Sequence, residues 1–388
     1  MPRRAVRVAL VHDWLTGMRG GERCLEVFCE IFPGADLFTL LHRRGAVSPT
    51  IERVTIHTSW LQSLPWATAY YRHLLPFFPL AIRQFQLTGY DLVLSSSHAV
   101  AKGARRDGSP LHVCYCFTPM RYIWDQSPVY FPRTRFSPVS WALLQALFRY
   151  LRRWDVKTAG SVDEFVAISN HIAAKIRAYY NRRAHVIPPP VDCGFFTPDS
   201  SPQQHGASFY LIVSALVPYK RVDIAVAAFN RLRLPLVVIG VGPERSKLER
   251  HASSSVTFLG WQPDAVVRDY YRQCEALIFP GEEDFGIVPL EAQACGKPVI
   301  ALGKGGALET VIPLHSTTRE AMPCRSPTGV LFDEASVDAL CEAVSMCQRH
   351  TAAFDPVAIR QHALHFDRPE FKTRITTFLA DKMGIAIA

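Results

Sequence analysis

Along almost the whole chain, short apolar runs alternate with stretches whose apolar positions recur every three or four residues. Short continuous runs suit strands buried on both faces, and the wider spacing suits amphipathic helices packed on one side. In the first half the runs predict strands at Val6–Val11, Ala35–Leu40, Asp91–Ser95, Leu111–Cys116, Glu164–Ser169 and Ala184–Ile187, with helical stretches such as Gly21–Ile31 and His171–Tyr180 between them. Pro188-Pro189-Pro190 interrupts regular structure, and the polar stretch Pro198–Gly206 reads as a linker. The alternation then resumes. Strands are predicted at Phe209–Ser214, Leu236–Ile239, Val256–Leu259, Ala276–Phe279, Val299–Ala301 and Val330–Phe332, and helices at Val222–Arg231, Asp264–Cys274, Ile287–Cys295 and Ser336–Cys347. A last amphipathic segment, Arg368–Lys382, predicts one more helix. This order predicts an α/β chain with two doubly wound parallel sheets, residues 1–195 and 205–367, whose ligands lie at the carboxyl ends of the strands.

Composition agrees with two cores. Of 388 residues, 48% are apolar and 20% charged, enough apolar mass for two globular domains. The ten cysteines are scattered without a C-x-x-C pair, so neither a disulfide framework nor a metal site is expected. No run approaches the roughly 18–20 apolar residues of a spanning helix, and the run after Arg3, Arg4 and Arg7 is too short for a signal-peptide core. These features predict a cytoplasmic chain, free or peripheral on the inner face of a membrane.

Charge changes that picture. The formal net charge of +9 is unevenly placed: residues 1–195 carry +11 and the remainder −2. Such asymmetry points to an anionic partner for the first half, a membrane leaflet, a phosphorylated lipid or a nucleic acid, with a generic soluble surface as the alternative. In residues 136–154, Trp141, Leu144, Leu147, Phe148 and Leu151 form a stripe at helical spacing, flanked by Arg149, Arg152 and Arg153. That pattern fits a helix lying on an anionic membrane and equally a core-packed helix with a solvated basic face.

The stretch Phe279–Ala301 (FPGEEDFGIVPLEAQACGKPVIA) carries the chemistry. A strand ends at Phe279, a loop carries Glu282, Glu283 and Asp284, Gly286 opens a helix containing Glu291, and Gly296 closes it. A helix start presents unpaired N–H groups and a positive dipole end, which suit a diphosphate. Glu283 in the loop is placed to meet a sugar, and Glu291, two turns into the helix, can accept two hydrogen bonds from a ribose diol. Two glutamates eight apart are common by themselves; inside a strand, acidic loop, glycine, helix, glycine, strand unit they are not.

The stretch resembles the signature of the retaining glycosyltransferases of group 1, or family 4, whose GT-B fold has two Rossmann-like domains facing a cleft. The resemblance implies that Glu283 contacts the donor sugar and Glu291 the ribose hydroxyls, with Phe285 and Gly286 beside them. Ser214–Asp223 is similar to the family's turn in which a lysine, here Lys220, meets the donor diphosphate. Many members have arginine where this chain has Ala215, and Arg221 is the candidate to compensate. Gly305 and Gly306 resemble a glycine-rich turn whose N–H groups approach phosphate. Gln262, after Gly260-Trp261, matches a loop that reads the nucleobase, though Trp261 also suits packing. In the first half, Val8–Asp13 runs into a loop with Gly17, Gly20 and Gly21, similar to the family's acceptor-side loop, so that Asp13, Gly20 and Gly21 are implied there. Phe117 stands in Cys114–Tyr122 where many relatives have histidine; His98, after three serines, is the candidate substitute, with a purely structural histidine as the alternative. Ile187–Asp192 resembles the family's interdomain turn, and residues 368–388 its C-terminal helix returning to the first domain.

The family resemblance implies retaining, metal-independent transfer without a cofactor, from a nucleotide-sugar to a lipid-diphosphate-linked or other glycan acceptor, with no nucleic-acid partner. The likeness is greatest to mannosyltransferases of bacterial surface-polysaccharide assembly, which makes GDP-mannose the expected donor. The departures at Phe117 and Ala215 keep open a catalytically weakened nucleotide-sugar-binding partner, and the fold keeps open a nucleotide-sugar epimerase.

Overall fold

The computed structural model describes residues 6–106, 110–199, 208–314 and 326–385. The chain divides into two compact units, residues 1–188 with 372–388, and residues 189–371. Most of the linker read at Pro198–Gly206 lies outside the described residues.

In the first unit the strands are β1 (Val8–His12), β2 (Asp36–Thr39), β3 (Thr55–Thr58), β4 (Gln86–Leu87), β5 (Leu92–Ser97), β6 (Arg105–Arg106), β7 (Leu111–Cys116), β8 (Glu164–Ala167) and β9 (His185–Val186). Seven of them form a parallel sheet in the order β3-β2-β1-β5-β7-β8-β9, and β4 pairs with β6 apart from it. The order reverses between β1 and β5. At such a switch the helices leave to opposite faces, and a crevice opens beyond the carboxyl ends of the two strands. β1 and β5 are buried along their whole length, as their apolar runs require. β3 reads Thr-Ile-His-Thr, pairs on one side only and alternates exposed with half-buried positions. It has no apolar run, which is why the hydrophobic pattern does not predict it.

The second unit contains β10 (Tyr210–Val213), β11 (Leu236–Ile239), β12 (Val256–Gly260), β13 (Leu277–Phe279), β14 (Val299–Leu302) and β15 (Gly329–Phe332). All pairings are parallel, in the order β12-β11-β10-β13-β14-β15. The switch lies between β10 and β13. Its core joins Ile212, Leu216 and Ile278 to Val226 and Phe229 of the helix Val222–Leu232 and to Leu340 and Val344 of the helix Val337–Arg349. Ser336 caps the last of these, accepting from the Ala339 N–H at 3.2 Å.

The helix Pro138–Ala159 settles the question left by its stripe. Phe148, Leu151 and Trp154 are buried in the first unit's core, with Leu144 and Leu147 packed against it. Arg152 is tied inward too, its Nε donating to the Ile123 carbonyl at 2.6 Å. From Leu144 onward the stripe is therefore a core face, while Trp141 is half-buried and Val139, Leu143, Tyr150 and Val156 are exposed large apolar side chains of this helix. Its Asp155 is fully buried and receives Lys102 Nζ, Trp124 Nε1 at 2.8 Å and the Tyr180 hydroxyl at 2.8 Å. From Lys372 onward the last helix, Arg368–Met383, belongs to the first unit, with Lys372 paired to Glu30 at 2.9 Å and Lys382 to Glu164 at 2.9 Å. The nine described cysteines are all unpaired and buried. Among the described residues no helix is long and apolar enough to cross a membrane, and no group of three or more His, Cys, Asp or Glu side chains is placed to hold a metal ion.

Candidate active site

In the second unit, three loops leave the carboxyl ends of β10, β13 and β14 at the switch point and press against one another. The loop after β10 carries Lys220, the loop after β13 carries Glu283, and the turn after β14 carries Gly305 and Gly306. Their backbones approach so closely that side chains could not fit. A Cβ on Gly281 would lie 2.8 Å from Lys220 Cα, one on Gly305 2.3 Å from the Glu283 oxygen, and one on Gly306 2.2 Å from Phe285 Cα. Gly305 also holds φ +60°, a region that favours glycine. An isolated parallel bridge joins Glu283 to Gly305, and the Gly306 N–H donates to the Glu283 carbonyl at 2.8 Å. That hydrogen bond corrects one expectation: the Gly306 N–H is engaged in holding the loops together rather than offered to a phosphate.

The clamp brings two predicted residues into contact. Lys220 Nζ forms an ion pair with Glu283 Oε1, both side chains being largely buried. Gly286, at φ +97°, then turns the chain into the helix Ile287–Ala294, whose first N–H groups lack partners within the helix. Glu291 is buried, 8% exposed, and its Oε2 accepts from the Tyr271 hydroxyl at 3.0 Å. Burial, and then the Glu291 carboxylate, push the Tyr271 hydroxyl well above its usual range. The tyrosine thus stays a donor, and it orients Glu291.

The remaining predicted residues of this unit play other parts. Arg221, at φ +53°, is the residue before the helix Val222–Leu232, and its guanidinium grips Asp223 through contacts of 3.1 and 3.2 Å. That pair lies at the surface, with both side chains partly exposed. The Phe285 side chain is buried against Phe366, so only its backbone borders the glycine turn. Gln262 donates to the Leu259 carbonyl at 3.0 Å beside Trp261, which is exposed rather than packed.

At the switch point of the first unit, β1 and β5 deliver a compact polar cluster. Asp13 is fully buried. Its Oδ2 accepts from the N–H groups of His98 (2.7 Å) and Ala99 (3.0 Å), and its Oδ1 from those of Val100 (2.6 Å) and Ala101 (2.7 Å). The His98 Nδ1 lies 3.0 Å from the same carboxylate. Burial opposes ionisation of Asp13, but His98 and the backbone donors outweigh it and hold the carboxyl well below the usual carboxylate range. Asp13 is thus the anchor of the 98–101 turn, with no surface left for a ligand. His98 is the partly exposed member, its side chain 23% accessible, seated edge-on to Trp14 at 4.4 Å. With Nδ1 directed at a carboxylate, its Nε2 is the nitrogen available outward.

His12 escaped the list of candidates. It is wholly buried between β5 and the helix Gly20–Ile31, Nδ1 at 2.7 Å from Ser96 Oγ and Nε2 at 3.8 Å from Glu22. Burial raises the Glu22 carboxyl, but His12 outweighs it, and the net shift is downward. Gly20 and Gly21 open that helix, and a Cβ on Gly21 would meet His12 and Phe117 at an ordinary 3.6 Å. The sequence signal for His12 was its place next to Asp13 at a strand end. Tyr271 carried no signal, because nothing local marks a helical tyrosine as the support of a glutamate 20 residues on.

Comparison with known proteins places this geometry. Residues 36–195 match the family described as Glycosyltransferase Family 4, and residues 196–346 the family described as Glycosyl transferases group 1. A GDP-mannose-dependent α-(1-6)-phosphatidylinositol monomannoside mannosyltransferase of Mycolicibacterium smegmatis is 28% identical over 266 residues, 61% of this chain and 65% of that protein. O-antigen chain mannosyltransferase C of Escherichia coli is 32% identical over 155 residues, 36% of this chain and 42% of that protein. The matches thus span less than two thirds of these curated relatives. Among solved structures, Anabaena HepE in complex with UDP superposes with a TM-score of 0.68 at 17% identity, covering 97% of this chain and 100% of that one. Sucrose-phosphate synthase of Thermosynechococcus elongatus gives 0.70 at 16% identity, covering 98% and 100%. The chain therefore carries a glycosyltransferase family 4 domain followed by a glycosyltransferase group 1 domain, on two parallel-sheet units of the GT-B fold.

Proposed function

We propose that the protein transfers a hexosyl group, mannose from GDP-mannose, to a lipid-linked or polysaccharide acceptor, with retention at the anomeric carbon. The observation that carries this reading is the meeting of Lys220, Glu283 and the Glu291 helix at one strand switch. The M. smegmatis relative, described as GDP-mannose-dependent, supports mannose as the sugar.

In this account Glu291, oriented by Tyr271, accepts the ribose hydroxyls. Lys220 and the start of the helix Ile287–Ala294 hold the diphosphate, and Glu283 meets the sugar. As the bond from C1 to the diphosphate oxygen breaks, negative charge grows on the leaving group. Lys220 exchanges its contact with Glu283 for that charge, which aimed dipoles then stabilise. The acceptor oxygen bonds to C1 from the same face, its proton passes to the departing diphosphate, and the nucleoside diphosphate leaves. The reading needs no cofactor and no metal. The first unit, with His98 at its own strand switch, would hold the acceptor.

A screen of nucleotide-sugars for protection against thermal unfolding, followed by transfer assays with the protecting sugar, tests the reading. Protection by GDP-mannose and transfer to a lipid-linked glycan are expected. Binding without transfer to any acceptor would favour a nucleotide-sugar-binding partner, and interconversion of the donor without acceptor an epimerase.

A further inference from the structure

The first unit contains a second concave site, distinct from the His12–Asp13–His98 cluster. A cavity of about 420 Å³ lies between the loop after β1, the chain after β2 and the segment 68–73. Its lining includes Thr16, Arg19, Arg43, Thr68, Arg72 and His73. Among the described residues none of these three guanidinium groups forms an ion pair, whereas at least 17 other Lys, Arg and His side chains do. Three uncompensated guanidiniums at one concavity repel one another and focus a positive potential that an anion relieves. The fork geometry of arginine, with two threonine hydroxyls, suits phosphate oxygens.

Tyr70 of this wall, and the chain on either side of the segment, carry an unusual surface. Trp66 is 77% exposed and Tyr70 63% exposed, and Leu64, Phe77 and Leu80 are exposed as well. Trp66 holds φ +56°, a region that bulky residues rarely adopt. Large apolar side chains beside a cationic pocket are what a ligand with an anionic head and a hydrocarbon tail requires, and aromatic side chains suit the boundary between the two.

We propose that this cavity binds the diphosphate of a lipid-linked acceptor, Arg19, Arg43 and Arg72 on the phosphates and Trp66, Tyr70 and Phe77 against the first part of the chain. The site rests on the reading of the protein as a transferase with such an acceptor, and it names where that acceptor's anionic group is held. A soluble phosphorylated ligand shares the head but not the tail, and the two are separable.

Calorimetric titration of the whole protein, with GDP present to saturate the second unit, tests the proposal with two probes, inorganic pyrophosphate and farnesyl diphosphate. The double variant Arg43→Gln/Arg72→Gln is expected to bind both probes at least tenfold more weakly, and Trp66→Ala to bind farnesyl diphosphate at least threefold more weakly with pyrophosphate unchanged. All three positions are exposed, so folding is preserved, which thermal unfolding verifies. Wild-type affinity for both probes in the double variant would overturn the site. An unchanged farnesyl diphosphate affinity in Trp66→Ala would overturn the lipid assignment. Failure of GDP to bind the wild-type protein would count against the transferase reading instead, while the pyrophosphate titrations would still decide the cavity.

Discussion

Replacing Gly306 by alanine probes the clamp on which the second unit's site depends. The new Cβ would stand 2.2 Å from the Phe285 Cα and oxygen, where ordinary contact begins near 3.4 Å. The atoms it would meet are all Phe285 backbone, so no side chain can swing away, and the glycine turn must retreat from the Glu283 loop by about 1 Å. Overpacking of this kind costs about 1–3 kcal/mol, or roughly 2–10 °C in the melting temperature of a unit this size. The functional loss is larger. Lys220, Glu283 and the start of the helix at Ile287 are positioned by the same loops, and a misplacement of about 1 Å can cost on the order of 100-fold in rate. Gly303→Ala supplies the control in the same turn: its nearest neighbour would be the Phe332 oxygen at 3.5 Å, an ordinary contact. Melting curves and initial rates of sugar transfer for the two variants are the assay. Equal stability and equal rates for Gly306→Ala and Gly303→Ala would refute the clamp.

Four further outcomes follow from the same geometry. Glu291→Ala should abolish transfer and weaken nucleotide binding, and Tyr271→Phe should weaken it about 3- to 10-fold, the loss of one hydrogen bond worth about 0.5–1.5 kcal/mol; calorimetry with GDP checks both. Asp13, held below its ordinary value of 3.8, contributes stability that is complete above about pH 4 and is lost as pH falls, because the unfolded carboxyl takes up a proton first. The stability gap between wild type and Asp13→Asn should therefore narrow from pH 5 to pH 2 in urea unfolding. Lys102→Met should cost about 3–5 kcal/mol, since it leaves the buried Asp155 without its counter-ion; denaturant titration measures it. A chelator should leave the rate of transfer unchanged in a steady-state assay.

Much of the fold was legible because buried parallel strands must be apolar runs: β7 and β11 were read to the residue, at Leu111–Cys116 and Leu236–Ile239. β3 was not, being a polar edge strand, and neither was the short helix Arg245–His251, in which only Leu248 is buried. The site followed the same logic. Lys220, Glu283 and Glu291 were legible because loop, glycine and helix are marked in the local sequence. The partners that orient them were not, because Tyr271 and Glu291 meet only through the packing of two helices. The contact of Arg221 with Asp223 was not legible for a similar reason: charge is visible in a sequence, but that pairing depends on the left-handed turn that aims the side chain.

A crystal structure with an intact nucleotide-sugar bound tests the central claim most directly. The account requires the ribose on Glu291 and the pyrophosphate between Lys220 and the N-terminus of the helix Ile287–Ala294, with Lys220 turned from Glu283 toward the ligand. A nucleotide bound elsewhere in the second unit, with Lys220 still paired to Glu283, would contradict it.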